Sequence, residues 1–473
     1  MTRDFSTLSI IEAHELLMQK EISVKELVDA FRTKAQEKNA EINAYLELFS
    51  DIDEQVAKAQ KQIDSGDAQV LCGIPLAIKD NILIKGRKVS AASKILENYE
   101  ASYDATIIEK LDSAGVVYIG RTNMDEFAMG GSNETSAYGP VKNPYDVTRV
   151  PGGSSGGSAA SVAMGGAFAA LGSDTGGSIR QPASLCGLVG MKPTYGRVSR
   201  HGLIAMASSL DQIGPLTRSV SDAKILFEAI SGVDPMDSTT HVPETIPTTK
   251  HKVLGVPFSL LEKGVDPDVL QNFKDSLAVL EKAGYKIKDI SIPSLEYALA
   301  VYYVLQPAEA SSNLARFDGV KYGLHVPGSN VTDSYFKTRA AGFGKEVKRR
   351  IFLGTYVLSA GYYDAYYGKA QEVQKMMTDD FSKVFEGIDA IVTPTSPTPA
   401  FKIGEKTADP LAMYLADIFT VSANLTRVPA ISVPSGFVER EGNRLPVGIQ
   451  FMASHFREDI LFDVGETFER ARN

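Results

Sequence analysis

Apolar positions along the chain change period repeatedly, and each change marks an element. Helical spacing comes first: Leu16 and Leu17 follow Ser9-x-x-Glu12, and Leu27, Val28 and Phe31 follow Ser23-x-x-Glu26. Both tetrapeptides read as capping boxes, in which serine and glutamate each satisfy a free backbone N–H of the first turn. The first 50 residues therefore predict a helical hairpin packed on the core. Residues 71–83 read as an apolar strand with Lys79 near its end, and 104–114 as an amphipathic helix stopped by Gly115 before a strand at 116–120. Beyond the middle, helix 221–231, strand 252–257, helix 268–283 and strand 285–292 alternate, and a mainly helical stretch spans 295–384. Buried strands then begin at Asp389, Ala430 and Val447. Residues 235–249, rich in Pro and Thr, read as a surface connection. Strands interleaved with helices from end to end predict one α/β domain over 1–473, built on a large mixed sheet. Within it, 1–60 is expected as a helical segment packed on the core, and 221–473 as the remainder of the sheet and a substrate pocket. The chemistry falls in 71–220.

Eleven of the 40 glycines lie between Gly152 and Gly190, where even spacing would put roughly three. Such density carries an entropic cost, so the backbone there must reach positive φ or come close to a ligand. Two serines share matching settings 24 residues apart, Ser154 in Gly-Gly-Ser-Ser-Gly-Gly and Ser178 in Gly-Gly-Ser-Ile-Arg. Between them, 158–164 reads as a helix of small residues, Gly165-Gly166 as a break, and 167–174 as a buried strand. Thr175-Gly176-Gly177 turns the chain into Ser178, and 179–185 starts a helix with Pro182 in its first turn. At such a strand–turn–helix junction free backbone N–H groups face whatever the serine attacks, and Thr175, Gly176, Gly177 and Ser178 are the candidate donors for an oxyanion hole. A phosphate-binding loop is excluded, since neither G-x-x-x-x-G-K-[ST] nor G-x-G-x-x-G occurs in the block.

Composition narrows the class further. Hydrophobic residues make up 44% and charged residues 23%, as in ordinary globular proteins. The net charge of −9 disfavours direct binding of nucleic acid, so an RNA substrate is expected on a partner. Cys72 and Cys186 sit in apolar settings without a C-x-x-C pair and read as reduced buried thiols, which suits the cytoplasm. No run approaches the ~18 apolar residues of a membrane span, so no membrane is expected. The six histidines are scattered without paired ligand spacing, and only His201 is near the serine block. Metal-assisted hydrolysis and a Ser–His–Asp triad are both disfavoured.

The glycine–serine block resembles the amidase signature, and the chain is identified by it as a member of the amidase signature superfamily, which hydrolyses C–N amide bonds with a Ser–cis-Ser–Lys triad. The resemblance implies Ser178 as nucleophile and Ser154 as the bridging serine in a cis peptide. It implies Lys79, in Gly-Ile-Pro-Leu-Ala-Ile-Lys-Asp-Asn, as the base. It also implies that the mixed sheet is covered by helices on both faces. The chemistry is consistent: Lys79 can accept a proton only when neutral, and burial at a strand end favours the neutral form. Asp80 should point to the opposite face of the strand and not pair with it. A hydroxyl at Ser154 both donates and accepts, so it can relay.

Longer stretches, among them 120–130, 193–200, 208–215, 309–319 and 353–364, are similar to the family of A subunits of glutamyl-tRNA(Gln) amidotransferases, over about residues 8–465. That resemblance implies a glutaminase whose ammonia passes to a B subunit, where Glu-tRNA(Gln) is converted with ATP to Gln-tRNA(Gln), a small C subunit clasping the two in a heterotrimer. No cofactor is expected on this chain, and ATP and Mg are expected on the partner. The family positions for the substrate are Arg350 for the α-carboxylate and Asp417 for the α-ammonium, with Tyr303 as a further contact that Tyr302 could replace, and Met129 and Gly130 in the pocket wall. Thr426-Arg427 departs from the small residues usual there. The alternative is a stand-alone amidase acting on small amides.

Overall fold

Eleven strands form one mixed sheet in the computed structural model, which describes residues 4–246, 250–261 and 264–472. They are β1 (Tyr45–Leu48), β2 (Pro75–Lys79), β3 (Val117–Thr122), β4 (Ala169–Asp174), β5 (Val189–Lys192) and β6 (Gln212–Thr217). These continue into β7 (Val253–Val256), β8 (Lys286–Asp289), β9 (Ala390–Pro394), β10 (Ala430–Arg440) and β11 (Asn443–Ala453). Their order across the sheet is β1-β3-β2-β4-β6-β5-β10-β11-β9-β7-β8. β2 runs parallel to both β3 and β4, so Lys79, Thr122 and Asp174 end neighbouring strands on one rim. The carboxyl ends of parallel strands are where open α/β sheets place their ligands. β4, β5, β6 and β9 are buried at every position, which requires cover on both faces.

Helices supply that cover. Ile10–Met18 and Val24–Ile42 begin at Ser9 and Ser23, and both capping boxes are formed. The second helix buries Val24, Leu27, Val28, Phe31 and Ala35, and Phe31 packs on Phe168, immediately ahead of β4, with ring centroids 5.4 Å apart. The N-terminal segment departs from the all-helical expectation in one respect: Tyr45–Leu48 is β1, an edge strand pairing antiparallel with β3. Its four residues are too few to show a period of two, and only the pairing partner makes them a strand. The lysine-bearing strand is shorter than 71–83, because the N–H groups of Asn81 and Ile82 both turn back onto the Lys79 carbonyl. β5 and β6, unanticipated, fill the gap between β4 and β10. In the Pro/Thr-rich connection, residues 247–249 lie outside the described residues, as do Met1 to Arg3.

Among the described residues no helix is long and apolar enough to cross a membrane. Cys72 and Cys186 are free and buried, as their settings predict. Removing the Ser23 hydroxyl unmakes one capping box, so Ser23→Ala should lower stability by ~1 kcal/mol, read as an earlier urea midpoint with unchanged slope.

Candidate active site

Lys79 is wholly buried, and its Nζ is ringed by serines. It lies 2.8 Å from Ser154 Oγ, 2.8 Å from Ser155 Oγ, 3.0 Å from Ser173 Oγ and 3.2 Å from the Ser173 carbonyl. No carboxylate touches it. Asp80 faces the other way, as strand alternation requires, accepting from Ser90 Oγ (2.5 Å), Ala92 N–H and Arg121 Nη1 (2.8 Å). Burial pushes the Lys79 pKa down to about 7, against the more distant charges of Asp125, Asp174 and Asp211. Ser154 follows a cis peptide bond at Gly153–Ser154 and is buried. Its carbonyl accepts from Asp125 N–H at 3.2 Å.

The turn after β4 is held from inside. Asp174, wholly buried, accepts Gly177 N–H at 2.8 Å and Ile179 N–H at 3.1 Å, and pairs with Arg180 through Nη2 (3.0 Å) and Nε (3.1 Å). Burial opposes its charge, but Arg180, Lys192 and Asn424 outweigh that and hold the carboxyl well below the usual range. Gly177 is thereby corrected as an oxyanion donor: its N–H is already spent on Asp174. Thr175, Gly176 and Ser178 keep N–H groups without an acceptor among the described residues. Two glycines are needed for close packing: a Cβ on Gly176 would lie 2.6 Å from the Tyr302 ring, and one on Gly177, at φ 134°, would strike Thr420. Ser178 is the least enclosed of the group, 7% exposed, and its Oγ has no hydrogen-bond partner among the described residues.

The remaining candidates gather beside this turn. Arg350 donates from Nε to Glu346 (2.8 Å) and from Nη1 to Gln306 (2.8 Å). Burial works against its charge, yet Glu346 more than compensates and the guanidinium stays charged. Tyr303 donates its hydroxyl to Asp417 at 3.3 Å and stacks on Tyr414, ring centroids 3.7 Å apart. Tyr302 instead packs over Gly176. Asp417 lies beside Gly131, and burial lifts its pKa to about 7. A cavity of about 320 Å³ is lined by Gly130, Gly131, Arg350 and Tyr414 together with Glu126 and Lys406. Met129 is not part of it: its side chain is buried in an apolar cluster with Phe127 and Phe343. Apolar neighbours in sequence do not distinguish a pocket wall from the core behind it. Among the described residues no cluster of His, Cys, Asp or Glu side chains has an arrangement that could hold a metal ion.

The model of the Amidase family matches residues 26–462. The chain belongs to the amidase family. It is an enzyme of the amidase and amidotransferase-subunit class, 53% identical to the glutamyl-tRNA(Gln) amidotransferase A subunit of Geobacillus sp. strain WCH70, over 98% of this chain and 96% of that one. It is 52% identical to the corresponding A subunit of Desulfatibacillum aliphaticivorans over 98% and 97%. The crystal structure of the glutamyl-tRNA(Gln) amidotransferase A subunit from Thermotoga maritima superposes with TM-score 0.78 at 43% identity, covering 99% and 94%. The peptide amidase of Stenotrophomonas maltophilia gives 0.80 at 27%, covering 98% and 97%.

In this amidase Arg427 is solvent-exposed and lies over the Tyr195 ring at 5.0 Å, so the departure at Thr426-Arg427 does not enter the cavity. Several residues of the site escape motif reading. Ser155 and Ser173 surround Lys79, and the buried Asp125 carboxylate accepts Asn133 N–H (2.9 Å) and Thr135 Oγ1 (2.9 Å), bracing the loop with Gly130 and Gly131. Ser155 is visible beside Ser154 in the chain; Ser173 and Asp125 carry no local signal. The turn's dependence on its ion pair is open to test. Arg180→Met strands Asp174 without its cation and should destabilise the amidase by ~3–5 kcal/mol, seen in thermal or urea unfolding. Wild-type stability in that variant would show that the pair does not hold the turn.

Proposed function

We propose that this amidase hydrolyses glutamine to glutamate and ammonia as the glutaminase subunit of a tRNA-dependent amidotransferase. Identity of 52–53% with A subunits over nearly their whole length supports the assembly. The contact between Lys79 Nζ and Ser154 Oγ, 2.8 Å long between two fully buried side chains with no carboxylate touching the lysine, carries the chemistry. In this reading Ser178 Oγ attacks the side-chain amide carbon and its proton passes through Ser154 to neutral Lys79. The tetrahedral oxyanion is received by N–H groups of Thr175, Gly176 and Ser178. Lys79 returns the proton through Ser154 to the leaving nitrogen, releasing ammonia, and water then cleaves the acyl ester by the same relay. Arg350 takes the α-carboxylate and Asp417, helped by Tyr303, the α-ammonium, each through charge-assisted hydrogen bonds. Ammonia passes to a B subunit that binds ATP and Mg and amidates Glu-tRNA(Gln), with a C subunit completing a heterotrimer.

Glutamate release by the chain with its partner subunits should vanish in Ser178→Ala and fall at least ~10³-fold in Lys79→Ala, since nucleophile and base act as a unit. Turnover of simple amides with glutamine ignored would sink the glutaminase reading in favour of a stand-alone amidase. The pH profile has a defined sign. Lys79 works neutral and Asp417 works ionised, and both are placed at about 7. Both must therefore lose a proton as pH rises. kcat/KM for glutamine should climb through pH 7 to a plateau, with a slope below it steeper than the roughly tenfold per unit of one group. A flat profile from pH 5 to 8 would rule out Lys79 as the base.

A further inference from the structure

One wholly buried side chain beside the cavity has its hydrogen bonding half filled. Gln306 lies one turn beyond Tyr302 and Tyr303 on the helix Ala298–Asn313. Its Oε1 accepts from Arg350 Nη1 at 2.8 Å, while its Nε2 is buried with no partner among the described residues. The amide cannot be turned around, because Nε2 would then face a guanidinium that only donates. An amide with an orphaned donor is a poor choice for stability alone, since an unpaired buried N–H is penalised in full. The oxygen is what the site requires.

Arg350 has five N–H groups in a fixed plane. Glu346 takes Nε and Gln306 takes one on Nη1, and Nη2 has no partner among the described residues. Two acceptors from two helices hold the guanidinium by one side and one end, and the rest of its N–H groups remain free for a ligand. We infer that Gln306 is a specificity-determining positioning residue: its amide oxygen orients Arg350 so that its unspent N–H groups meet the α-carboxylate of the substrate. This rests on the reading of Arg350 as the carboxylate partner. Neutrality is essential to the role. Glu346 already brings one negative charge to Arg350, and the Tyr414 hydroxyl, 3.3 Å away, holds that carboxylate in place. A second carboxylate at position 306 would hold the guanidinium equally well but repel an incoming anion. An amide supplies the same acceptor without the charge.

The test compares glutamine with 4-aminobutanamide, the same amide without the α-carboxylate, using the chain assembled with its partner subunits. In Gln306→Glu the ratio of kcat/KM for glutamine to that for 4-aminobutanamide should fall at least ~10-fold, as loss of a charge-assisted contact predicts. The loss should fall on glutamine, in KM and in kcat together, because Arg350 both holds and orients it, while the constants for 4-aminobutanamide are nearly kept. Gln306→Met, similar in shape but without the acceptor, should lower the same ratio by a smaller factor. Equal losses on both amides, or an unchanged ratio in both variants, would overturn the inference. Calorimetric binding of glutamine in a Ser178→Ala background separates the two levels of the argument. If that chain fails to bind glutamine, the glutaminase reading falls and takes this inference with it. If it binds and Gln306→Glu binds equally tightly, only the role of Gln306 falls.

Discussion

The turn that presents Ser178 exists because a carboxylate and a guanidinium are buried together beneath it. Asp174 ends β4 and Arg180 begins the helix Arg180–Leu185, and the pair closes the loop between them from below. Charges this deep are tolerated only when every lone pair and proton has a partner. Arg180 also donates to Gln450 (2.6 Å), Asn424 (2.6 Å) and the Thr420 carbonyl (3.0 Å), and Asn424 donates to Asp174 (2.9 Å). One ion pair thus fastens the turn to β11 and to the segment 420–424, which come from the far end of the chain. It also spends Gly177 N–H on the interior, leaving the neighbouring N–H groups free. In the proposed mechanism, the donors left for an oxyanion are set by what the buried carboxylate has already taken.

A depressed pKa does not by itself single out a lysine as a catalytic candidate. Lys192 is buried as well and is likewise pushed down to about 7 by burial, yet its Nζ donates to the carbonyls of Pro193 (2.9 Å) and Val428 (2.6 Å). Carbonyls carry no exchangeable proton, so that lysine can only hold strands together. Lys79 faces hydroxyls, which can hand a proton on. Desolvation makes both amines available as bases at neutral pH, and the neighbours decide which one has anything to do.

Much of this is legible in the chain itself. The capping boxes at Ser9 and Ser23 and the buried strand ending at Asp174 depend on local pattern and have the structure it implies, and the strand carrying Lys79 is present, though shorter than its apolar run. What is not legible depends on contacts distant in sequence. β1 is a strand only because β3 lies beside it, and Met129 belongs to an apolar cluster whose other members range along the chain from Ala91 to Val347. The choice between Tyr302 and Tyr303 cannot be made from adjacent identical residues. On a helix they point about 100° apart, and only the placement of Gly176 and Asp417 tells which faces what.

That last pair of contacts ties together the candidate substrate contacts and the candidate catalytic turn, which come from opposite halves of the chain. Tyr302 packs on Gly176, next to the candidate oxyanion donors, while Tyr303 reaches Asp417 and Gln306 holds Arg350. All three side chains leave a single helix, Ala298–Asn313. Thr420, three residues after Asp417, donates to the Gly176 carbonyl at 2.6 Å. The groups proposed to hold the substrate's charged end and the turn that bears Ser178 are therefore packed as one body. A substrate gripped correctly at one end has its carbonyl placed relative to Ser178 by the same contacts. In such an arrangement remote binding energy serves orientation at the reacting carbon, which is where a near-attack geometry is most sensitive to error.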